Sequence, residues 1–351
     1  MQQLGFEGMP KRLYACTPTR LGTWLDCPRR YRMTYLDRPA PAKGPPWAHN
    51  SLGASVHNAL AGWWRLPRHR RSVAAAGDLL DQGWIGEGFA DSLQSARYRH
   101  WARGLVEAYV TGLDPASEPI GVERTVATRT ELIAVSGRID RLDDRRGPDG
   151  RGELVVVDYK TGRHLLTVDD ARTSLPLALY ALAAERVMRR SCRRVELHHL
   201  PTGRVLAWEH TAESLARQLS RAEDIAAECA AADERFRAEK DALEKDGAAK
   251  DGGVKDGGVK DGAAKDGGVK DGAVKDGGQP LELPDVFPPR PGSWCGWCDY
   301  RACCPEGSAA SEPRRPWDAL HAEAVGSAPG GAQADASPAD RGAPAHAAVP
   351  D

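Results

Sequence analysis

At 351 residues the chain has room for one large domain or two ordinary ones. Its formal net charge of -1 carries no signal for or against a nucleic-acid partner, so any such signal must lie in how the charge is distributed. No apolar run is long enough to be a membrane-spanning helix and no signal peptide is visible; this predicts a cytoplasmic, reducing setting with no membrane partner, where disulfides are disfavoured.

Residues 1–16 lack periodicity and are expected to be loose. Thr17-Pro18-Thr19 opens a helix, with Thr17 as N-cap and Pro18 at the first helical position. That helix carries Leu21, Trp24 and Leu25 toward a core and is expected to hold Cys27 near its middle. Residues 38–47 are Pro-rich and read as a loop. Helices are predicted over 51–66, 72–91 and 94–112. Residues 1–105 hold 15 Lys and Arg against 7 Asp and Glu, with Trp24, Trp47, Trp63, Trp64, Trp84 and Trp101 interleaved. This suits a groove that tracks phosphates and stacks bases. It equally suits a helical subdomain with Trp in the core and Arg in solvent.

Strands are predicted over 120–129, 131–142 and 153–160, then a helix over 168–190. A hairpin of strands 193–200 and 204–211 follows, around Pro201-Thr202-Gly203-Arg204, then a long charged helix over 211–240. Residues 245–279 repeat a five-residue Lys-Asp-Gly-Gly-Val unit with variants. Such a segment buries too little apolar surface to offset chain entropy, and a flexible insertion is expected. Residues 284–306 are Cys-rich, and 307–351, rich in Ala, Pro, Gly and Ser, are expected to be a disordered tail.

Two motifs carry chemistry. Gly137-Arg138-Ile139-Asp140-Arg141 lies on one predicted strand, and Leu154-Val155-Val156-Val157-Asp158-Tyr159-Lys160-Thr161-Gly162 on the next. The second reads as a buried strand that stops at a polar site, with Asp158 and Lys160 on one face. Two carboxylates and a lysine converging at strand ends make a divalent-cation site with a cationic helper, the equipment for hydrolysing a phosphodiester. The alternative, two surface hairpins with incidental charges, is disfavoured because both motifs occur on adjacent strands. Elsewhere, Cys295 and Cys298 form a CxxC, Cys304 follows, and Cys27 stands far upstream as a fourth thiolate. Four thiolates suit zinc or an iron–sulfur cluster. A zinc ribbon would set two CxxC pairs close together; here one thiolate is remote. Cys303 could substitute for Cys304, while Cys16, Cys192 and Cys229 have no spacing logic and read as ordinary thiols.

The paired motifs resemble the RecB-like branch of the PD-(D/E)XK nuclease superfamily, over about residues 17–240 and 284–306. The resemblance implies an α/β fold: a restriction-endonuclease-like core, a mixed sheet flanked by helices. The helical part would span 17–115, the αβββαβ core 95–211 and a long helix 211–240, with 284–306 completing the domain. It implies Asp140 and Asp158 as carboxylates for Mg²⁺ or Mn²⁺, Lys160 as catalytic lysine and the Tyr159 carbonyl as a further ligand. His57, in Gly53-x-x-x-His57, would add an imidazole ligand, and Glu123 an accessory acid. Tyr180 matches the Tyr of a Gln-x-x-x-Tyr element that faces DNA, but Pro176 stands at the Gln position. The cysteine layout resembles the iron–sulfur subset, AddB-type and CRISPR-adaptation nucleases. That implies a [4Fe–4S] cluster on Cys27, Cys295, Cys298 and Cys304, shielded by Trp294, Trp297, Tyr300 and Pro305, pinning the chain's two ends together. The implied activity is exonucleolytic hydrolysis of single-stranded or end-bearing DNA in repair or recombination. With no Walker A motif in the chain, unwound strands would come from a separate helicase or repair partner. The alternative is a catalytically weak or inactive iron–sulfur module that binds DNA.

Overall fold

A computed structural model describes residues 13–146, 152–251 and 285–320. Its organising element is β3 (Ile133–Arg146), along one edge of which β2 (Gly121–Arg129) runs antiparallel. The other edge of β3 is shared. β1 (Tyr14–Cys16) lies parallel to residues 133–135, and β4 (Gly152–Lys160) lies antiparallel to residues 141–146. Among the described residues, 136–140 have no partner on that edge, so β3 and β4 part company at their inner ends. β5 (Arg194–His199) continues the sheet parallel to β4, and β6 (Arg204–Glu209) closes it as an antiparallel hairpin. The result is a mixed sheet flanked by helices, as expected for the core.

Both faces of β4 are buried, which explains its unbroken apolar run. Val155, Val157 and Tyr159 pack against α3 (Ala48–Arg65), α4 (Val73–Gln82) and α5 (Ser92–Thr111). Leu154 and Val156 pack against α7 (Leu175–Met188). A third apolar cluster joins α1 (Pro18–Asp26), α2 (Pro28–Tyr35), α7 and α8 (Ala212–Asp251) to β1 and to Phe287. No helix among the described residues is long and apolar enough to cross a membrane.

Several expectations need correction. Tyr14–Cys16 is not loose but forms β1 on the spine strand. Cys27 is not inside a helix: it is the extended junction between α1 and α2, at φ -164° and ψ 113°. Pro28 disfavours helical geometry at the residue before it and opens α2 instead. The helix over 168–190 is two, α6 (Val168–Thr173) and α7, because Ser174 caps α7 and Pro176 sits in its first turn, where no N–H is needed. The helix over 72–91 stops at Gln82, and Asp91 caps α5. The helix expected to end at 240 runs to Asp251, so 245–251 continue α8; the remaining repeat lies outside the described residues. The tail is ordered over 307–320. α9 (Pro305–Ala310) begins it, Pro316 O accepts from Ala48 N–H at 3.0 Å, and Leu320 is buried in the α3–α5 core. The tryptophans are not stacking platforms: Trp24, Trp47, Trp63 and Trp64 are buried, and Trp84 and Trp101 pack against the core.

Candidate metal centre

The site forms where β3 and β4 diverge. Strand alternation fails there. Ile139 and Leu142 both face α7, so the two residues between them turn to the α3 side: Asp140 toward His57, and Arg141 over Trp64 at 5.2 Å. β2 changes faces too, with Val122 against the α3–α5 core and Val126 against α7. The change occurs at Glu123, whose φ of +49° is uncommon for any residue but glycine. The β2–β3 ladder accordingly pairs Val122 with Arg141 and Arg124 with Ile139 but skips Glu123 and Asp140. Such strain persists only where its surroundings enforce it. Here it keeps a carboxylate beside another carboxylate.

His57, Glu123 and Asp140 offer one ligand atom each, all within 4.8 Å of one another. Asp140 is fixed by the backbone N–H of Tyr159, which the splayed strands free to donate to Asp140 Oδ2 at 2.9 Å. Its other oxygen lies 3.4 Å from His57 Nδ1. His57 Nε2 lies 3.2 Å from the Tyr159 carbonyl, so Nε2 carries the proton there and Nδ1 is left to face the carboxylates. Gly53 lets α3 approach closely, because a Cβ there would sit 3.3 Å from Thr161 Oγ1.

Two cations already meet these carboxylates, Arg138 Nε at 2.7 Å from Glu123 Oε2 and Lys160 beside Asp158. Burial lowers the proton affinity of His57, but Asp140, Asp158 and Glu123 outweigh it and hold the imidazole above its ordinary pKa. Burial, then the charge of Asp140, pushes Glu123 up. Burial also pushes Asp158 up, although Lys160 Nζ is only 2.5 Å from its Oδ2. Three carboxylates around one imidazole suit a divalent cation of oxygen and nitrogen preference.

Each residue singled out in the sequence can now be placed. Asp140 and His57 meet directly, and Glu123, expected as an accessory acid, stands with them in the ligand group. Asp158 and Lys160 share a face and pair with each other next to that group. The Tyr159 carbonyl engages the imidazole. Tyr180, one turn after Pro176, lies over Gly137, where any Cβ would come within 2.3 Å of the phenol ring. Burial, then the charges of Asp158 and Asp140, pushes the Tyr180 phenol up to about 12, so it stays protonated. Sequence reasoning passed over Arg141, Tyr109, Glu196 and His198, which lie directly behind the site. The available signal was Glu196-Leu197-His198, where polar side chains alternate with apolar ones on a strand whose polar face is also buried.

A second constellation lies at the junction of the chain's ends. Cys27, Cys295, Cys298 and Cys304 line one cavity of about 590 Å³ together with Trp294, Trp297 and Tyr300. Pro305 is outside that lining and opens α9. Cys303 is exposed, its sulfur 3.6 Å from Ala42 O. Backbone N–H groups point at two of the cavity sulfurs, Arg290 at Cys27 (3.4 Å) and Gly307 at Cys304 (3.3 Å). A Cβ on Gly307 would lie 3.3 Å from Cys304 Sγ and 3.6 Å from Cys295 Sγ, so the absent side chain leaves room where these sulfurs approach. Cys16, Cys192 and Cys229 are instead buried in apolar clusters, and burial pushes their thiols up to about 11, 12 and 12.

A strand pair that splays around a carboxylate, with a lysine at the end of the second strand, defines a class. The PD-(D/E)XK nuclease superfamily model matches residues 15–305, and the chain belongs to that superfamily. The fold is that of a PD-(D/E)XK nuclease, and the His57–Glu123–Asp140 group has the donors to hold a metal ion. Among solved structures the chain is similar to a "Putative exonuclease" from Eubacterium rectale, at 10% identity over 60% of this chain and 77% of that one, with a TM-score of 0.34. It is also similar to SSO0001, at 14% identity over 60% and 76% of the two chains, with a TM-score of 0.26. No curated protein sequence matches it.

Proposed function

We propose that the protein is a Mg²⁺- or Mn²⁺-dependent deoxyribonuclease of RecB-like, AddB-type character. It acts as an exonuclease on single-stranded or end-bearing DNA in repair or recombination, beside a separate helicase or repair partner. The observation that carries this reading is the gathering of His57, Glu123 and Asp140 beside the Asp158–Lys160 pair. A bound divalent cation supplies Lewis acidity at the scissile phosphate and lowers the pKa of an attacking water. His57, Glu123 and Asp140 would hold it, with Asp158 adjacent. Lys160 pairs with Asp158 and can donate to the phosphate as negative charge grows there. Tyr180 presents a protonated phenol as a hydrogen-bond donor on the α7 side.

The cysteine cavity fits a [4Fe–4S] cluster held by Cys27, Cys295, Cys298 and Cys304. The cluster's part in this reading is structural.

The test is anaerobically purified protein incubated with end-labelled single- and double-stranded DNA, and with RNA, plus Mn²⁺ or Mg²⁺. Metal-dependent products that shorten from an end and disappear with chelator are expected. Pro176 in place of the usual Gln favours a second reading, a DNA-binding module without cleavage. Tight DNA binding with no products in either metal would select it.

A further inference from the structure

Behind the metal centre the polar side chains close into a hydrogen-bonded ring. Arg141 Nη1 donates to Tyr109 Oη at 3.1 Å, and Tyr109 Oη donates to His198 Nδ1 at 2.8 Å. His198 Nε2 donates to Glu196 Oε2 at 2.9 Å, and Arg145 Nη1 donates to Glu196 Oε1 at 2.7 Å. Arg145 Nη2 and Arg141 Nη2 then meet on Asp143 Oδ2, at 2.7 and 3.1 Å. A neutral His198 with its N–H on Nε2 and its lone pair on Nδ1 satisfies every link. Burial holds His198 below its ordinary pKa, in keeping with the neutral form. Arg141 and Arg145 face two carboxylates, with Arg194 Nε also 2.8 Å from Glu196 Oε1, and a network linked at this many points restrains its members.

The ring meets the metal centre through two chain neighbours of its ligands. Arg141 directly follows Asp140, and Tyr159 lies between Asp158 and Lys160. Arg141 Nη1 donates to Tyr159 Oη at 3.3 Å, and its guanidinium lies 5.8 Å from the Tyr159 ring centre. Tyr159 and His198 are register partners on β4 and β5, with ring centres 6.3 Å apart. The main chain of Tyr159 holds Asp140 with its N–H and His57 with its carbonyl. Any shift of the Tyr159 main chain therefore moves two ligand side chains at once.

We propose that this ring is a positioning device for the cation: Tyr109 and Asp143, which touch neither metal nor substrate, set the Tyr159 main chain and through it the ligand atoms of Asp140 and His57. The proposal rests on the cation site argued above. Tyr109→Phe removes the one oxygen shared by Arg141 and His198. Asp143→Asn keeps the side chain's shape and weakens the point where two arginines meet. Tyr159→Phe removes the oxygen that accepts from Arg141. Mn²⁺ binding to the full chain is titrated calorimetrically without DNA, beside the urea midpoint. The first two variants are expected to stay folded and to bind Mn²⁺ about tenfold more weakly or worse, with a smaller shift for Tyr159→Phe. The metal concentration for half-maximal cleavage should rise in step, with KM for DNA unchanged. Wild-type Mn²⁺ affinity in all three variants, whatever their urea midpoints, overturns the proposal and leaves the ring a structural support. A wild-type protein that binds no Mn²⁺ refutes the cation site instead.

Discussion

Lys160 and Asp158 lie 2.5 Å apart, yet their roles separate by charge. Lys160→Ala removes a donor that matters as charge develops on the phosphate, and a loss of about 10²–10³ in kcat is expected. Asp158→Ala removes negative charge next to the ligand group, so it should abolish cleavage and also weaken Mn²⁺ binding. Lys160→Ala should leave Mn²⁺ binding intact; equal weakening in both variants would contradict this division. Asp158 and Lys160 are legible in the sequence because strand periodicity and a following turn mark where the backbone delivers them, and Asp140 because its motif lies on the strand next to theirs. The place of Glu123 is not, because it depends on a backbone at φ +49° and a break in alternation that no local pattern encodes. Glu196 yields a pH prediction. Burial would raise its pKa, but hydrogen bonds from His198, Arg145 and Arg194 outweigh burial and hold it below the ordinary carboxylate value. The unfolded chain therefore takes up a proton at higher pH than the folded one. The stability these bonds contribute is full above about pH 4.3 and fades as pH falls through the depressed value. Glu196→Gln should lower the urea midpoint at pH 7, and its gap to wild type should narrow by pH 3. A gap that does not change with pH would mean that Glu196 is not the titrating group.

Elements were legible where periodicity and caps agree, as at Thr17, whose side chain accepts from Arg20 N–H at 3.1 Å. They were misread where a proline inside an apolar pattern starts a new helix rather than ending one, at Pro28 and Pro176. Both breaks serve the site. The first turns Cys27 out of the helix into the cysteine cavity, and the second restarts α7 so that Tyr180 lies on Gly137. How α1 meets α8 was not legible, because the contacts are long-range. Asp233 on α8 is buried and accepts from Tyr31 Oη and Arg20 Nη2, both at 2.8 Å, with Tyr14 Oη a further 2.6 Å from Tyr31 Oη. Asp233→Ala leaves these donors facing apolar surroundings. A loss of about 2–3 kcal/mol is expected, at the low end for a broken buried pair because Arg20 keeps access to water. Urea denaturation checks it, and a loss below about 0.5 kcal/mol, the size of an ordinary surface substitution, would show that water replaces the carboxylate without cost.

At the scale of the molecule, the N-terminal helices and the C-terminal segment close on each other across the whole sequence. Arg29 pairs with Glu306 at 2.9 Å, Trp47 Nε1 donates to Asp299 at 2.8 Å, and Gly44 N–H donates to the Asp299 carbonyl at 2.8 Å. A single ion pair and two hydrogen bonds contribute about 1 kcal/mol each, so polar contacts alone make a weak clasp. Four thiolates around one cavity would make a strong one, because ligands remote in sequence couple metal binding to folding. Cys27→Ala is therefore expected to remove the broad visible absorption of anaerobically purified protein and to lower its thermal midpoint. Cys304→Ala should do the same, while Cys303→Ala, at an exposed sulfur outside the cavity, should do neither. About four irons with acid-labile sulfide per chain support the cluster. One zinc and no iron in protein that never met oxygen would replace the cluster with a mononuclear site. A Cys27→Ala variant that keeps both its colour and its midpoint would show that Cys27 is not a ligand of the cluster.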